Sequence, residues 1–164
     1  MFQARAIETG DKPAFYRDLA QQLEGLLHGE TDAIANAANT AALIFTTLPD
    51  LNWAGFYFLR KLDELVLGPF QGKPACVRIA VGRGVCGTAV QERRTMRIDD
   101  VHAFADHIAY DAASRSELVV PLFRGEQIIG VLDLDAPIPG RFDADDQRGI
   151  EALAAITMKA SAAL

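Results

Sequence analysis

The residues of this chain best suited to covalent chemistry are its two cysteines, Cys76 and Cys86, both within the stretch Leu67 to Cys86. Gly68, Gly72, Gly82 and Gly84 punctuate that stretch. Cys86 follows Gly82-Arg83-Gly84-Val85 and opens the run Gly87-Thr88-Ala89-Val90-Gln91-Glu92, which has a helical pattern. A thiol in the first turn of a helix meets unpaired backbone N–H groups and the positive end of the helix dipole. That setting lowers its pKa and favours the thiolate, the reactive form. Arg83 and Arg78 add to the effect if they point inward. The stretch reads as half of a redox site; the plainer reading, two buried thiols without a task, is the commoner fate of cysteine.

Acidic residues supply the other half. Asp133 and Asp135 end the segment Ile129-Gly130-Val131-Leu132-Asp133-Leu134-Asp135. At i and i+2 they share one face of a strand. Two carboxylates crowded in a half-buried setting repel, so one keeps a proton near neutrality. Such a pair binds an ammonium group or protonates a leaving oxygen. Glu117, at the start of the neighbouring strand, can join them. The alternative places both aspartates in the turn before Pro137, facing water. Trp53 and Tyr57 share a strand face and either wall a pocket or belong to the core.

Other polar groups carry less. Asp99, Asp100, His102, Asp106 and His107 have metal-ligand chemistry but match no ligand spacing, so no metal is expected. Gly82 to Gly87 lacks the Gly-Lys-Ser/Thr of a phosphate loop. Ser114 and Ser116 have no base partner in sequence. No cofactor is expected.

The elements that position these groups follow from periodicity. Asp11 caps a first helix with Pro13 in its first turn; Phe15, Leu19, Leu23, Leu26 and Leu27 form its stripe, and Gly29 ends it. Thr31 is expected to cap a second helix with Ile34, Ala38, Ala41, Ala42 and Phe45 on one face, stopped at Pro49-Asp50. Residues 52–59 read as a strand, Lys61-Leu62-Asp63 as a turn, and Glu64 to Phe70 as the antiparallel return. A helix at about 85–92 and a short strand at 95–98 follow. Residues 99–116 form a long polar loop of the kind that serves as a lid. Glu117–Phe123 and Gln127–Asp135 make a second hairpin. Asp143 caps the last helix, with Asp145 and Asp146 in its first turn and Ile150, Leu153 and Ile156 as its stripe. Antiparallel hairpins with helices at the ends mean an α+β fold rather than a parallel nucleotide fold.

The 164 residues fit one domain, 1–164, with residues 1–10 as a loose arm. Half the residues are hydrophobic and 23% are charged, enough for a full core. A net charge of −6 argues against nucleic acid and anionic membranes as partners. The start has no signal-peptide pattern and no apolar run approaches a membrane span, so a soluble, cytoplasmic protein with reduced or catalytic thiols is expected. Whether it forms a homodimer stays open.

Five segments together resemble the free methionine-(R)-sulfoxide reductases, which are single GAF-domain enzymes. They are Asn52 to Tyr57, Leu67 to Cys76, Gly82 to Ala89, Asp111 to Glu117 and Gly130 to Asp135. The resemblance runs from about Lys12 to the last helix. It implies a GAF-like domain: a six-stranded antiparallel sheet with helices on one face and a ligand pocket on the other, closed by residues 99–116. It also implies reduction of free, not peptide-bound, methionine (R)-sulfoxide, with thioredoxin as reductant. A thiolate attacks the sulfoxide sulfur, a sulfenic acid forms, and a second cysteine closes a disulfide. Glu117, Asp133 and Asp135 hold the substrate and handle the proton, and Trp53 and Tyr57 line the pocket. The family has a third cysteine in the lid where this chain has Tyr110, and tyrosine cannot form a disulfide. Three outcomes follow: a two-cysteine cycle of Cys86 and Cys76 in either order, a non-catalytic sensor that binds methionine or its sulfoxide, or a pocket for another small ligand.

Overall fold

The computed structural model describes residues 2–104 and 113–162. In chain order the elements are α1 (Lys12–Leu27), α2 (Ala33–Thr47), β1 (Trp53–Lys61), β2 (Glu64–Gly72), β3 (Arg78–Ala80), α3 (Gly84–Glu92), β4 (Met96–Ile98), a 3-10 turn (Val101–Ala103), β5 (Ser116–Arg124), β6 (Gln127–Ala136) and α4 (Ala144–Ala160). The strands form one sheet in the order β3-β2-β1-β6-β5-β4, antiparallel throughout. Two hairpins, β1–β2 and β5–β6, are joined at the centre by the β1–β6 ladder. Among the described residues no helix is long and apolar enough to cross a membrane.

Period-two alternation sorts the side chains. Ala54, Phe56 and Phe58 of β1, Leu118, Val120 and Leu122 of β5, and Leu132, Leu134 and Ala136 of β6 face α1, α2 and α4 in the larger core. Their neighbours in sequence point the other way, so Trp53, Tyr57, Val119 and Val131 join Val85, Cys86, Ala89 and Val90 of α3 in a second cluster. Among the described residues, α2 and α4 cover one face of the sheet, with α1 packed on them, and the short α3 covers the other. The expected arrangement, a six-stranded antiparallel sheet with helices on one face and the pocket on the other, is present; α3, with Val85, Cys86, Ala89 and Val90 buried, covers part of the pocket face. Truncating a wholly buried Leu118 or Leu132 to alanine costs about 2–5 kcal/mol.

The helix starts follow from caps. The Asp11 side chain accepts from the Ala14 N–H, and Asp143 forms a reciprocal capping box with Asp146. The second helix is capped by Asp32, which accepts from the Ala35 N–H, and not by Thr31. Residues 2–10 carry no helix or strand, yet the Arg5 N–H donates to Gln22 Oε1 and Gln22 Nε2 donates back to the Arg5 carbonyl. The turn into α3 needs glycine at position 87: a Cβ there would stand 2.3 Å from the Ala80 carbonyl oxygen. That contact lets α3 press against the end of β3 and sets the depth at which Cys86 lies.

Candidate active site

The ladders bring the acidic residues together. In register, Asp135 of β6 stands between Trp53 of β1 and Glu117 of β5, and Asp133 stands between Gly55 and Val119. Directly opposed side chains on one face are about 5 Å apart and diagonal ones about 7 Å. Glu117, Asp133 and Asp135 thus form one patch on the face that α3 covers. Cys86 reaches it from above: its Sγ, one Glu117 oxygen and one Asp133 oxygen lie within 4.8 Å of one another. All three residues are buried, at 4%, 6% and 6% exposure; Asp135 is half-buried, and both aspartates lie within β6 rather than in the turn before Pro137.

Aromatic side chains wall the near side. Trp53 stacks on Phe70 at 5.3 Å and on Tyr57 at 5.9 Å. Gly55 makes that stack feasible, since a Cβ there would come within 2.3 Å of Phe70 Cβ and 2.6 Å of the Trp53 ring. The same two rings hold the loop above. Trp53 Nε1–H donates to the Lys73 carbonyl at 3.1 Å, and the Tyr57 hydroxyl donates to the Cys76 carbonyl at 3.1 Å. The resulting hollow has about 40 Å³ of enclosed space, against about 600 Å³ once gaps between side chains and the open water at its mouth are counted.

The sequence reading named Cys86, Glu117, Asp133, Asp135, Trp53 and Tyr57, and all of them line this hollow. Arg83 lines it too, as anticipated, while Arg78 pairs with Glu64 on the outer surface and is not turned toward Cys86. Cys76 is half-buried; its thiol donates to the Arg78 carbonyl at 3.2 Å, and its neighbour Ala75 is the one that lines the hollow. Tyr110, which the resemblance sets at a lid position, lies outside the described residues. Lining residues not foreseen include Asn52, Lys73 and Ser114. Asn52 Nδ2–H donates to Ser114 Oγ at 2.9 Å across the mouth. Ser114 had been considered only as a nucleophile. Its place three residues before Glu117 was the available signal.

Electrostatics reverse one expectation. The helix start was expected to lower the Cys86 pKa. Instead the thiol is held well above its ordinary range, first by burial and then by the Asp133 and Glu117 carboxylates. A dipole effect confined to one turn loses to the removal of water and to two acids at close range. Burial likewise pushes Glu117 well up, aided by Asp133 and Asp135. Burial raises Asp133 to about 7, against the opposing pull of its contacts with Cys86 and Glu117. The site thus holds a thiol and a Glu117 carboxyl both biased toward their protonated forms, beside an Asp133 carboxyl raised to about 7. Those are an acid, a base and a nucleophile in one enclosure.

Residues 22–161 match the family model described as GAF domain. The chain is 57% identical over 145 residues to the free methionine-R-sulfoxide reductase of Escherichia coli strain K12, covering 88% of this chain and 87% of that protein. It superposes with a TM-score of 0.92 and 45% identity on the X-ray structure of free methionine-R-sulfoxide reductase from Neisseria meningitidis in complex with its substrate, covering 98% of this chain and 95% of that one. The reduced form of the fRMsr of Staphylococcus aureus gives a TM-score of 0.86 and 49% identity, over 96% and 99% of the two chains.

Proposed function

The chain belongs to the GAF-domain family and, within it, to the free methionine-(R)-sulfoxide reductases, and we propose that it reduces free methionine (R)-sulfoxide from the hollow between β1, β5, β6 and α3. The observation that carries this reading is the meeting of the Cys86 thiol with three carboxyls around one hollow walled by Trp53 and Tyr57. An acidic pocket suits the free ammonium of an amino acid, and a methionine inside a peptide has no such charge to offer.

In this reading Asp135 and Asp133 take the ammonium, while Trp53 and Tyr57 flank the side chain. Protonated Glu117 donates to the sulfoxide oxygen, and the Cys86 thiol passes its proton to ionised Asp133 as it attacks the substrate sulfur. The net step moves the oxygen from substrate to enzyme: thiol plus sulfoxide gives a Cys86 sulfenic acid plus methionine. Cys76 thiol then attacks the sulfenic sulfur, water leaves and a disulfide forms. A dithiol reductant of the thioredoxin type returns both cysteines to thiols by exchange. A reducing cytoplasm is the setting in which such a cycle runs.

Purified protein with thioredoxin, its reductase and free methionine (R)-sulfoxide is expected to consume NADPH; consumption no faster than the no-enzyme blank retires the enzymatic reading. Calorimetric binding of the sulfoxide without turnover would make the protein a non-catalytic binder of the same ligand. The Tyr110→Cys variant locates the attacking thiol: a rate at least about tenfold above the parent's, surviving Cys86→Ser, moves the attack to position 110.

A further inference from the structure

The groups that the proposed reduction uses have a second chemical capacity, and this inference rests on that reading of the site. Cys86 Sγ, a Glu117 oxygen and an Asp133 oxygen come from three different elements, α3, β5 and β6, and converge to within 4.8 Å of one another in a buried enclosure. Asp133 is 6% exposed, and among the described residues its Oδ1 has no hydrogen-bond partner. A buried carboxylate oxygen left without a donor is costly. It marks a place where something positively charged, or able to donate, completes the site. Asp135 stands beside Glu117 in the ladder and offers a further oxygen.

We infer that Cys86, Glu117 and Asp133 form a binding site for a thiophilic divalent cation such as Zn²⁺, and that its occupation excludes the substrate. One sulfur and two oxygens suit zinc or cobalt better than magnesium or calcium, which take oxygen ligands alone. Tetrahedral zinc with a thiolate at about 2.3 Å and carboxylates at about 2.1 Å has ligand–ligand edges of about 3.3–3.7 Å. The side chains therefore need to close by on the order of 1 Å, within the reach of rotamer adjustment. The fourth position falls to Asp135 or water. Binding forms metal–sulfur and metal–oxygen bonds and releases to solvent the Cys86 thiol proton and any proton on the two carboxyls. No electron moves. Metal and sulfoxide then compete for one set of groups, so zinc inhibits, and chelation restores activity.

Cobalt is the probe. Reduced wild-type protein titrated anaerobically with Co²⁺ is expected to develop a near-ultraviolet thiolate-to-cobalt charge-transfer band that saturates at one Co²⁺ per chain and is displaced by Zn²⁺. Cys76→Ser keeps the band and Cys86→Ser loses it. Glu117→Gln, which preserves volume, weakens Co²⁺ binding at least about tenfold, the loss of a charged ligand. Absence of the band in wild-type protein overturns the inference, as does a band that survives Cys86→Ser or vanishes only in Cys76→Ser. The readout involves no turnover, so a failed reductase assay and a failed cobalt titration remain distinguishable.

Discussion

Two acidic clusters in this molecule are built from the same residue types and behave in opposite ways. At the start of α4, Asp143 and Asp146 share the Lys12 ammonium at 2.8 and 2.6 Å. Asp146 Oδ1 also accepts from Tyr16 Oη and Arg141. There the Lys12 hydrogen bond holds the Asp143 carboxyl far below its usual value. Across the sheet, burial raises Asp133 to about 7. Asp143 is exposed, so depth contributes to that contrast; the pair matched in depth is Asp146, 1% exposed, and Asp133, 6% exposed. The difference is what was buried alongside: a lysine and an arginine in one case, a thiol and two further acids in the other. The first cluster joins α1 to α4; the second holds protons that can be given away. In that matched pair a structural and a functional use of aspartate are thus told apart by their partners and not by depth.

The sharpest break in that comparison is Cys86→Ser. Turnover is expected to fall to the blank in the NADPH-coupled assay, while calorimetric sulfoxide binding stays within about threefold, since the carboxyls remain. Asp133→Asn comes next. It should weaken sulfoxide binding at least about tenfold and yet raise stability at pH 8 by roughly 1–3 kcal/mol, read by urea melts, because a buried charge without full compensation is gone. Gain of stability with loss of binding marks the functional cluster. Unchanged affinity would remove Asp133 from the site. Lys12→Met should do the reverse, costing about 1–2 kcal/mol in the same melts with sulfoxide affinity unchanged, because the buried Asp146 loses one of its two cations and keeps Arg141, Tyr16 and the Asp143 N–H. The smallest effect is expected from Arg78→Ala. This exposed pair with Glu64 contributes under about 0.5 kcal/mol, screened by salt.

The pH dependence separates the clusters by sign. Asp133 rises from 3.8 to about 7 on folding, so the folded state binds the extra proton. The stability it contributes is whole below pH 3.8 and is lost as pH rises through 7; Glu117, also raised, acts in the same direction. Asp143 is lowered, so its contribution is present above 3.8 and is lost as pH falls through its folded value. Wild-type protein should therefore lose stability between pH 5 and 8, and Asp133→Asn should flatten that slope. An equal slope in both proteins would refute the assignment of the proton to this cluster.

Much of this arrangement was legible in the sequence. Period two put Asp133 and Asp135 on one face, and the shared apolar neighbours implied that the face was covered. Hairpin signals placed Glu117 beside them. The start of the last helix, α4, needed only Asp143 and the acids after it. What was not legible depended on distance in space. β3 is three residues long and carries no period to read. The cap at Asp32 rather than Thr31 turns on one residue's backbone angles. The direction of the Cys86 shift was misjudged because sequence shows a helix start and hides what packs against it. Asn52 and Ser114, 62 positions apart, meet only once β1 and β5 have both paired with β6.

Trp53 is the chain's sole tryptophan, and its indole N–H is tethered to the Lys73 carbonyl on the loop that carries Cys76. The molecule consequently contains its own optical gauge. Any event that draws residues 73–76 inward, such as bridging of the two sulfurs, must lengthen or cut that tether and change the polarity around the ring. Emission colour and quantum yield would then follow each oxidation and each reduction in real time, without a dye and without a coupled assay.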